Sequence, residues 1–472
     1  MLKITLIVLL FLSFGAGNTF AATTPKSAEP LKLNERQQRS LERYQKLIAY
    51  RSAAGHDQVL PMAEFLAAEF RIGGFSENDI HLMPMKDTAA LVVRYRGVNN
   101  SNIKPIMLMA HMDVVDALPK DWERDPFTLI EEDGYYYGRG TSDNKAGVAN
   151  LTAAFLQLRA EGFIPSRDFI IVFSGDEETT GHTIKTLLSE HRALVDAEYA
   201  LNADGGGGSI GEGGKVVSFS MQTAEKTYMT FTLTATNPGG HSSMPRPDNA
   251  IHDLASAISK LSQYKFPVRQ NETTKLYFER RAPFASGELS AAMSEFAKDP
   301  SNTSASDYLA KDGNYVGMTR TTCISTMLKA GHAENALPQS ATATVNCRVW
   351  PDEDMESVKR RIETAIDDTN VNVELLDGYS MSPPSELRPD LVRAITKVVH
   401  KRHPGIPLIP YMAPYFTDGK FTRGEGIPTY GIGGLSLGAD DARAHGLDER
   451  VPVWSFFEEA DYWYDLIQEL SR

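Results

Sequence analysis

The chain has only two cysteines, Cys323 and Cys347, in 472 residues. That excludes a zinc site built from cysteines, for which no second pair exists. Positive charge is also short: 48 lysines and arginines against 61 acids leave a formal net charge of −13, which argues against nucleic acid as a partner. After the apolar stretch Ile4 to Phe14, no run approaches bilayer-spanning length, so stable membrane insertion is not expected once that leader is removed. A Gly-x-Ser-x-Gly nucleophile elbow is missing. The glycine string Gly205 to Gly208 lacks the Gly-Lys-Ser/Thr ending of a phosphate loop and reads as an ordinary flexible turn.

What is present begins with the leader. Lys3 precedes the apolar stretch, and Thr19-Phe20-Ala21 supplies small residues at the −3 and −1 positions of a cut after Ala21. This reads as a signal peptide over residues 1–21, with an uncleaved anchor as the alternative, and places the mature protein in a periplasm or outside the cell. The cysteines fall on two expected strands, 319–328 and 341–350, nearly opposite each other if those strands pair about the loop 331–338. A bridge and a pair of small core hydrophobes are both open.

The length allows two to three domains, and 42% hydrophobic content suffices for real cores. Amphipathic helices are expected at 34–50 and 57–71. Strands at 89–96, 105–110, 168–174 and 198–203 alternate with helices at 145–161 and 183–191. This is the pattern of an α/β domain whose mixed sheet is layered by helices. A differently built stretch interrupts it. Tyr228 to Ala235 alternates as a half-buried strand, followed by a helix at 249–261, the two cysteine strands, a helix at 355–366 and a strand at 371–376. That βαββαβ order makes a two-layer domain over 222–377, inserted between catalytic segments 31–221 and 378–472. Residues 268–318 form a polar, partly helical insertion within it.

His111, Asp143, Glu178, Asp204 and His445 each sit where an apolar strand or a glycine turn ends. Strand ends are the ligand-binding edge of open α/β sheets. Two imidazoles and three carboxylates suit a pair of borderline divalent ions such as Zn²⁺, with one carboxylate bridging. Taken singly, Asp143 and Asp204 are explained by turn chemistry and Glu177-Glu178 by a solvated surface. Side chains adjacent in an extended segment point to opposite faces, so Glu177 and Glu178 are not expected to ligate the same ion, and one ligand with one base fits that geometry.

The local words decide for chemistry: His111-Met112-Asp113, Gly140-Thr141-Ser142-Asp143-Asn144-Lys145, Asp176-Glu177-Glu178, Asn202-Ala203-Asp204-Gly205, Gly239-Gly240-His241 and His445-Gly446-Leu447-Asp448-Glu449. From about residue 35 onward the chain resembles the M20 metallopeptidases, in particular the carboxypeptidase S and N-acyl-amino-acid hydrolase branch. The resemblance implies two Zn²⁺ ions per chain, with Co²⁺ or Mn²⁺ as substitutes. Asp143 would bridge them, His111 and Asp204 would complete one site, and Glu178 with His445 the other. Glu177 would be the general base, and Asp113 would orient an imidazole. The inserted domain would be a lid used for dimerisation. Its His241 would stabilise the oxyanion, often in the partner's active site, while Asn335 and Arg348 would hold a substrate carboxylate. The implied activity is exported hydrolysis of a peptide or N-acyl amide bond beside a free carboxylate. An aminopeptidase or dipeptidase is the alternative, followed by an exported zinc-binding protein without turnover, which would have no need of Glu177.

Overall fold

The computed structural model describes residues 33–98, 103–376, 381–441 and 443–472. The signal-peptide expectation therefore lies outside the described residues, as does the domain boundary expected at 377–378.

Among the described residues a ten-stranded mixed sheet runs through the larger part of the molecule. At its centre Phe169–Ser174, Ile106–His111 and Tyr199–Asn202 lie side by side and parallel. All six residues of Ile106–His111 and all six of Phe169–Ser174 are buried. Leu108, Phe169, Ile171 and Phe173 pack under helices Glu35–Ile48, Val59–Ile72, Lys145–Ala160 and Val453–Leu470. Met107, Met109, Ile170 and Val172 face the other way, against Ile184 and Leu187 of helix His182–Glu190. Coverage on both faces is why these strands read as continuous apolar runs. The first helix begins at a capping box in which Asn34 and Gln37 each accept the other's backbone N–H, a stabilisation of about 1 kcal/mol.

A separate antiparallel sheet has the order Thr322–Ala330, Ser340–Val349, Thr227–Thr236, Val371–Leu375. With helices Ala250–Gln263 and Met355–Ile366 it follows the expected βαββαβ order. Ser340–Val349 buries every second residue, Cys347 among them. Cys323 stands directly opposite Cys347, and the two are bonded.

Two expectations are corrected. The insertion is not merely polar: helices Glu272–Arg281, Gly287–Lys298 and Thr303–Leu309 bury Phe278, Met293, Phe296 and Leu309 in a core of their own. Its first helix packs on strand Leu408–Ala413 of the large sheet, where Arg280 donates to the Leu408 carbonyl. Nor is Gly205–Gly208 a loose turn. Its last two residues open strand Gly207–Ile210, and a Cβ on Gly206, at φ +78°, would meet the Gly431 carbonyl at 2.5 Å. Strand packing, not flexibility, demands glycine there.

Candidate metal centre and cleft

The three central strands end on one edge, and the acid–imidazole cluster forms there. His111 is the last residue of its strand, and Glu177, Glu178 and Asp204 lie in the turns beyond the other two. Asp143 immediately precedes Asn144, the cap of helix Lys145–Ala160. His445 arrives from the far end of the chain on a turn where its φ is +63°.

All five residues expected as ligands meet. His111 Nε2 is 2.8 Å from Asp143 Oδ1 and 3.9 Å from Asp204 Oδ2. His445 Nε2 is 3.1 Å from Asp143 Oδ2 and 3.1 Å from Glu178 Oε2. Asp143 thus turns one oxygen to each imidazole, as a bridging carboxylate does. Two overlapping donor sets result, His111 with Asp143 and Glu178, and His111 with Glu177 and Asp204, each with its donor atoms within 4.8 Å of one another.

Glu177 and Glu178 diverge for a reason other than the one the sequence suggests. They lie in a turn, not an extended segment. Asp113, buried beneath them, accepts the Glu177 N–H at 3.1 Å and the Glu178 N–H at 3.0 Å, one on each oxygen. His111 is oriented chiefly by the Asp113 backbone carbonyl, 3.0 Å from Nδ1, with the carboxylate further off at 3.5 Å.

The electrostatics fit a cation site. Burial, with Asp204 and other acids nearby, raises Glu177 well above the usual carboxyl range despite His111. Burial and then Asp143 do the same to Asp204. Burial also pushes Asp143 upward, but His111 and His445 outweigh it and hold that carboxyl low. Hydrogen bonds to Asp143 and Glu178 raise His445 to about 10. Burial and mutual repulsion disfavour the charged forms of Glu177 and Asp204, an imbalance that a bound divalent cation would relieve. Imidazole and carboxylate donors in this number suit borderline ions.

A cleft of about 760 Å³ opens over the cluster. Arg348 reaches it from the outward-facing positions of Ser340–Val349, its guanidinium 4.8 Å from the centre of the Tyr228 ring. Tyr228 meets Phe416 edge-on, and Lys420 stands 3.6 Å from the centre of the Phe416 ring. Among the described residues, Arg348 Nη1 is buried without a hydrogen-bond partner. His241 and Asn335 are not part of this cleft lining. They are exposed neighbours on a short paired segment, where Ser242 N donates to the Asn335 carbonyl at 3.0 Å.

Three residues near the site carry no role in the sequence reading. Tyr415 lines the same cleft as Arg348. Asp418 is buried against Ser174 and raised to about 7, by burial first. Glu449 lies beneath Asp143. Asp418 follows a strand, the signal that marked the ligands, whereas Glu449 stands in the same short word as His445.

Residues 107–469 match the model of Peptidase family M20/M25/M40. The chain belongs to the M20 family. One M20 relative is the N-fatty-acyl-amino acid synthase/hydrolase PM20D1 of Xenopus tropicalis, 31% identical over 378 residues, which cover 78% of this chain and 73% of that protein. Another, the probable carboxypeptidase S-like 2 of Dictyostelium discoideum, is 27% identical over 403 residues, covering 81% of this chain and 75% of its own length. The fold matches the M20 family metallo-carboxypeptidase Sso-CP2 of Sulfolobus solfataricus with a TM-score of 0.69 at 18% identity, over 93% of this chain and all of that one. The protein is an M20-type metallopeptidase or amidohydrolase, and M20 enzymes depend on metal.

Proposed function

We propose that this enzyme is an exported co-catalytic zinc hydrolase that cleaves an amide bond next to a free carboxylate, with N-acyl amino acids as its favoured substrates. The observation that carries this reading is Arg348: a guanidinium with an unpartnered buried Nη1, sharing one cleft with the acid–imidazole cluster. A guanidinium grips a carboxylate through two parallel bonds. The scissile amide, borne by the same carbon as that carboxylate, then lies toward the cluster. An N-acyl substituent is favoured by the apolar cleft residues Val115, Leu435 and Leu437 and by the substrate class in the name of the Xenopus relative. A C-terminal peptide residue presents the same carboxylate and is the second substrate class.

Two Zn²⁺ ions would be held by His111 with Asp204 and by Glu178 with His445, Asp143 bridging. Bound there, they supply Lewis acidity to the scissile carbonyl and to the attacking water. Glu177 takes the proton of that water and delivers it to the leaving amine. Burial raises its carboxyl above the usual range, the direction that suits a group that must return the proton as well as accept it. His241 stabilises the oxyanion from the lid of a second subunit, which accounts for its absence from the cleft lining of its own chain. The lid spans 222–377 and the catalytic domain 31–221 with 378–472. Dimerisation through the lid is supported by its edge strand Thr322–Ala330, where Ile324, Met327 and Leu328 are 66%, 70% and 67% exposed. Export is supported by the leader and by the Cys323–Cys347 bond, since disulfides persist in oxidising compartments.

The test is a substrate panel on zinc-loaded protein: N-acyl amino acids, acyl-blocked dipeptides and free-amine dipeptides, each with a free or an amidated carboxyl end. N-acyl amino acids with a free carboxylate should turn over fastest. Equal rates on the amidated forms would refute the anchor, and turnover confined to free-amine peptides would make the enzyme an aminopeptidase or dipeptidase. Metal analysis should find about two ions per chain, as a paired site requires.

A further inference from the structure

Glu449 is fully buried, at 0% exposure, and is not itself part of the cleft lining. Taking a carboxylate out of water is costly unless donors replace the lost hydration. Here five do. Oε1 accepts Ser142 N at 2.8 Å, Ser142 Oγ at 2.9 Å and Asp143 N at 3.0 Å, while Oε2 accepts Gly140 N at 2.9 Å and Arg139 Nη1 at 2.8 Å. Three of the five are backbone amides of one turn, converging as in the nests that bind free anions. This nest is filled by a side chain from 306 residues further along the chain than Asp143.

The same node holds the opposite turn. The Glu449 carbonyl accepts Gly138 N at 3.1 Å. Arg139, paired with Glu449 through Nη1, gives Nη2 to the Gly446 carbonyl at 3.1 Å, next to His445. His445 is one of the few non-glycine residues at positive φ, a conformation that persists only when its surroundings hold it. So one buried ion pair fixes the turn that presents Asp143 and the turn that presents His445, whose side chains meet at 3.1 Å.

We infer that Glu449 is a positioning residue of the metal centre: with Arg139 it sets the spacing of Asp143 and His445, and thereby the affinity and geometry of the ions they bind. This rests on the cluster being a metal site. It also explains why a carboxylate is required. Each oxygen of Glu449 faces donors only, so a glutamine, though nearly identical in size, would aim an N–H₂ group at other N–H groups in either orientation.

The experiment is calorimetric titration of metal-free protein with Zn²⁺, with the visible absorption of the Co²⁺ form as a geometric readout. Glu449→Gln should bind metal about 10- to 100-fold more weakly than wild type, the usual cost of losing a group that orients metal ligands, and should shift the Co²⁺ bands. A purely structural role would lower the melting temperature of the metal-free variant and leave both metal readouts unchanged, and that result would overturn the inference. If Glu449→Gln does not fold, Ser142→Ala removes a single donor from Oε1. A loss of about fivefold in affinity, the worth of one hydrogen bond, is then expected, and unchanged affinity would overturn the proposal. Failure of the wild type to bind Zn²⁺ would bring down the metal-centre reading itself, and this inference with it.

Discussion

Strand Phe169–Ser174 of the large sheet is buried at all six positions, whereas Ser340–Val349 of the small sheet is buried only at alternate ones. The central strands of the large sheet, Phe169–Ser174 and Ile106–His111, are buried at every position, so their polar side chains appear only where the strands stop. There they crowd together on backbone fixed by the packing behind it, and their protons are redistributed by burial and by one another. The small sheet is covered on one face, and its polar residues, Thr342, Thr344, Asn346 and Arg348, line the other along the whole strand. One architecture builds a dense, preorganised cluster of charge. The other supplies single contacts at chosen distances from it. Metal binding and proton transfer belong to the first, direct contacts to the substrate to the second, and each division can be broken by substitution.

The largest effect belongs to the large sheet. Glu177→Gln should lower kcat by about 10²- to 10⁴-fold, the range for losing a general base, while the metal content stays at the wild-type value. Loss of metal together with activity would show Glu177 to be a ligand, as its place in one donor set with His111 and Asp204 permits. His241→Ala in the small-sheet half should lower kcat by about 10²- to 10³-fold, as for an oxyanion donor. Mixing the two inactive variants separates the ways His241 could act. If it serves the partner's site, a heterodimer has one complete site, contributed by the His241→Ala chain and the histidine of the other chain. A randomly paired equimolar mixture then recovers about a quarter of wild-type activity, since half of the dimers are mixed and each has one of two sites intact. If His241 served its own chain, the mixture would stay inactive.

The same contrast explains what was legible in the sequence. His111, Glu178 and Asp204 are announced by the apolar runs that precede them, because a strand covered on both faces leaves polar residues only at its end. Arg348 was named only through the resemblance, and period-two alternation accounts for its place on the face opposite the buried Cys347 and Val349. Asp113 was visible as a neighbour of His111, but its partners, the Glu177 and Glu178 amides, were not, because a turn's hydrogen bonds leave no periodic trace. Glu449 was hidden for the same reason: three of its five partners are backbone N–H groups about three hundred residues earlier, which any residue type supplies. The insertion was misjudged because its apolar residues are scattered singly among polar ones, while in the fold Phe278, Met293 and Phe296 come together in a small core. Strands Val216–Glu225 and Leu408–Ala413 went unread, although the second pairs in parallel with the first and receives that insertion on its flank.

The smallest expected effect concerns the Cys323–Cys347 bond, which closes a loop with a sequence separation of 24 residues within the small sheet. Chain-entropy reasoning for a loop of that size gives about 3 kcal/mol of stabilisation. Reduction leaves both side chains in place and so removes the cross-link alone. Because bond and site lie in different sheets, reduction should release hydrogen-exchange protection in Thr322–Ala330 and Ser340–Val349 and leave Ile106–His111 and Phe169–Ser174 protected. Turnover should follow the same division. Arg348 neighbours Cys347, so KM for carboxylate-bearing substrates should rise several-fold, whereas kcat, set at the strand ends of the other sheet, should hold within about twofold, the pattern of a lost binding contact. Equal loss of protection in both sheets would mean that the two unfold as one cooperative unit. The separation of recognition from chemistry would then be one of position only, not of stability.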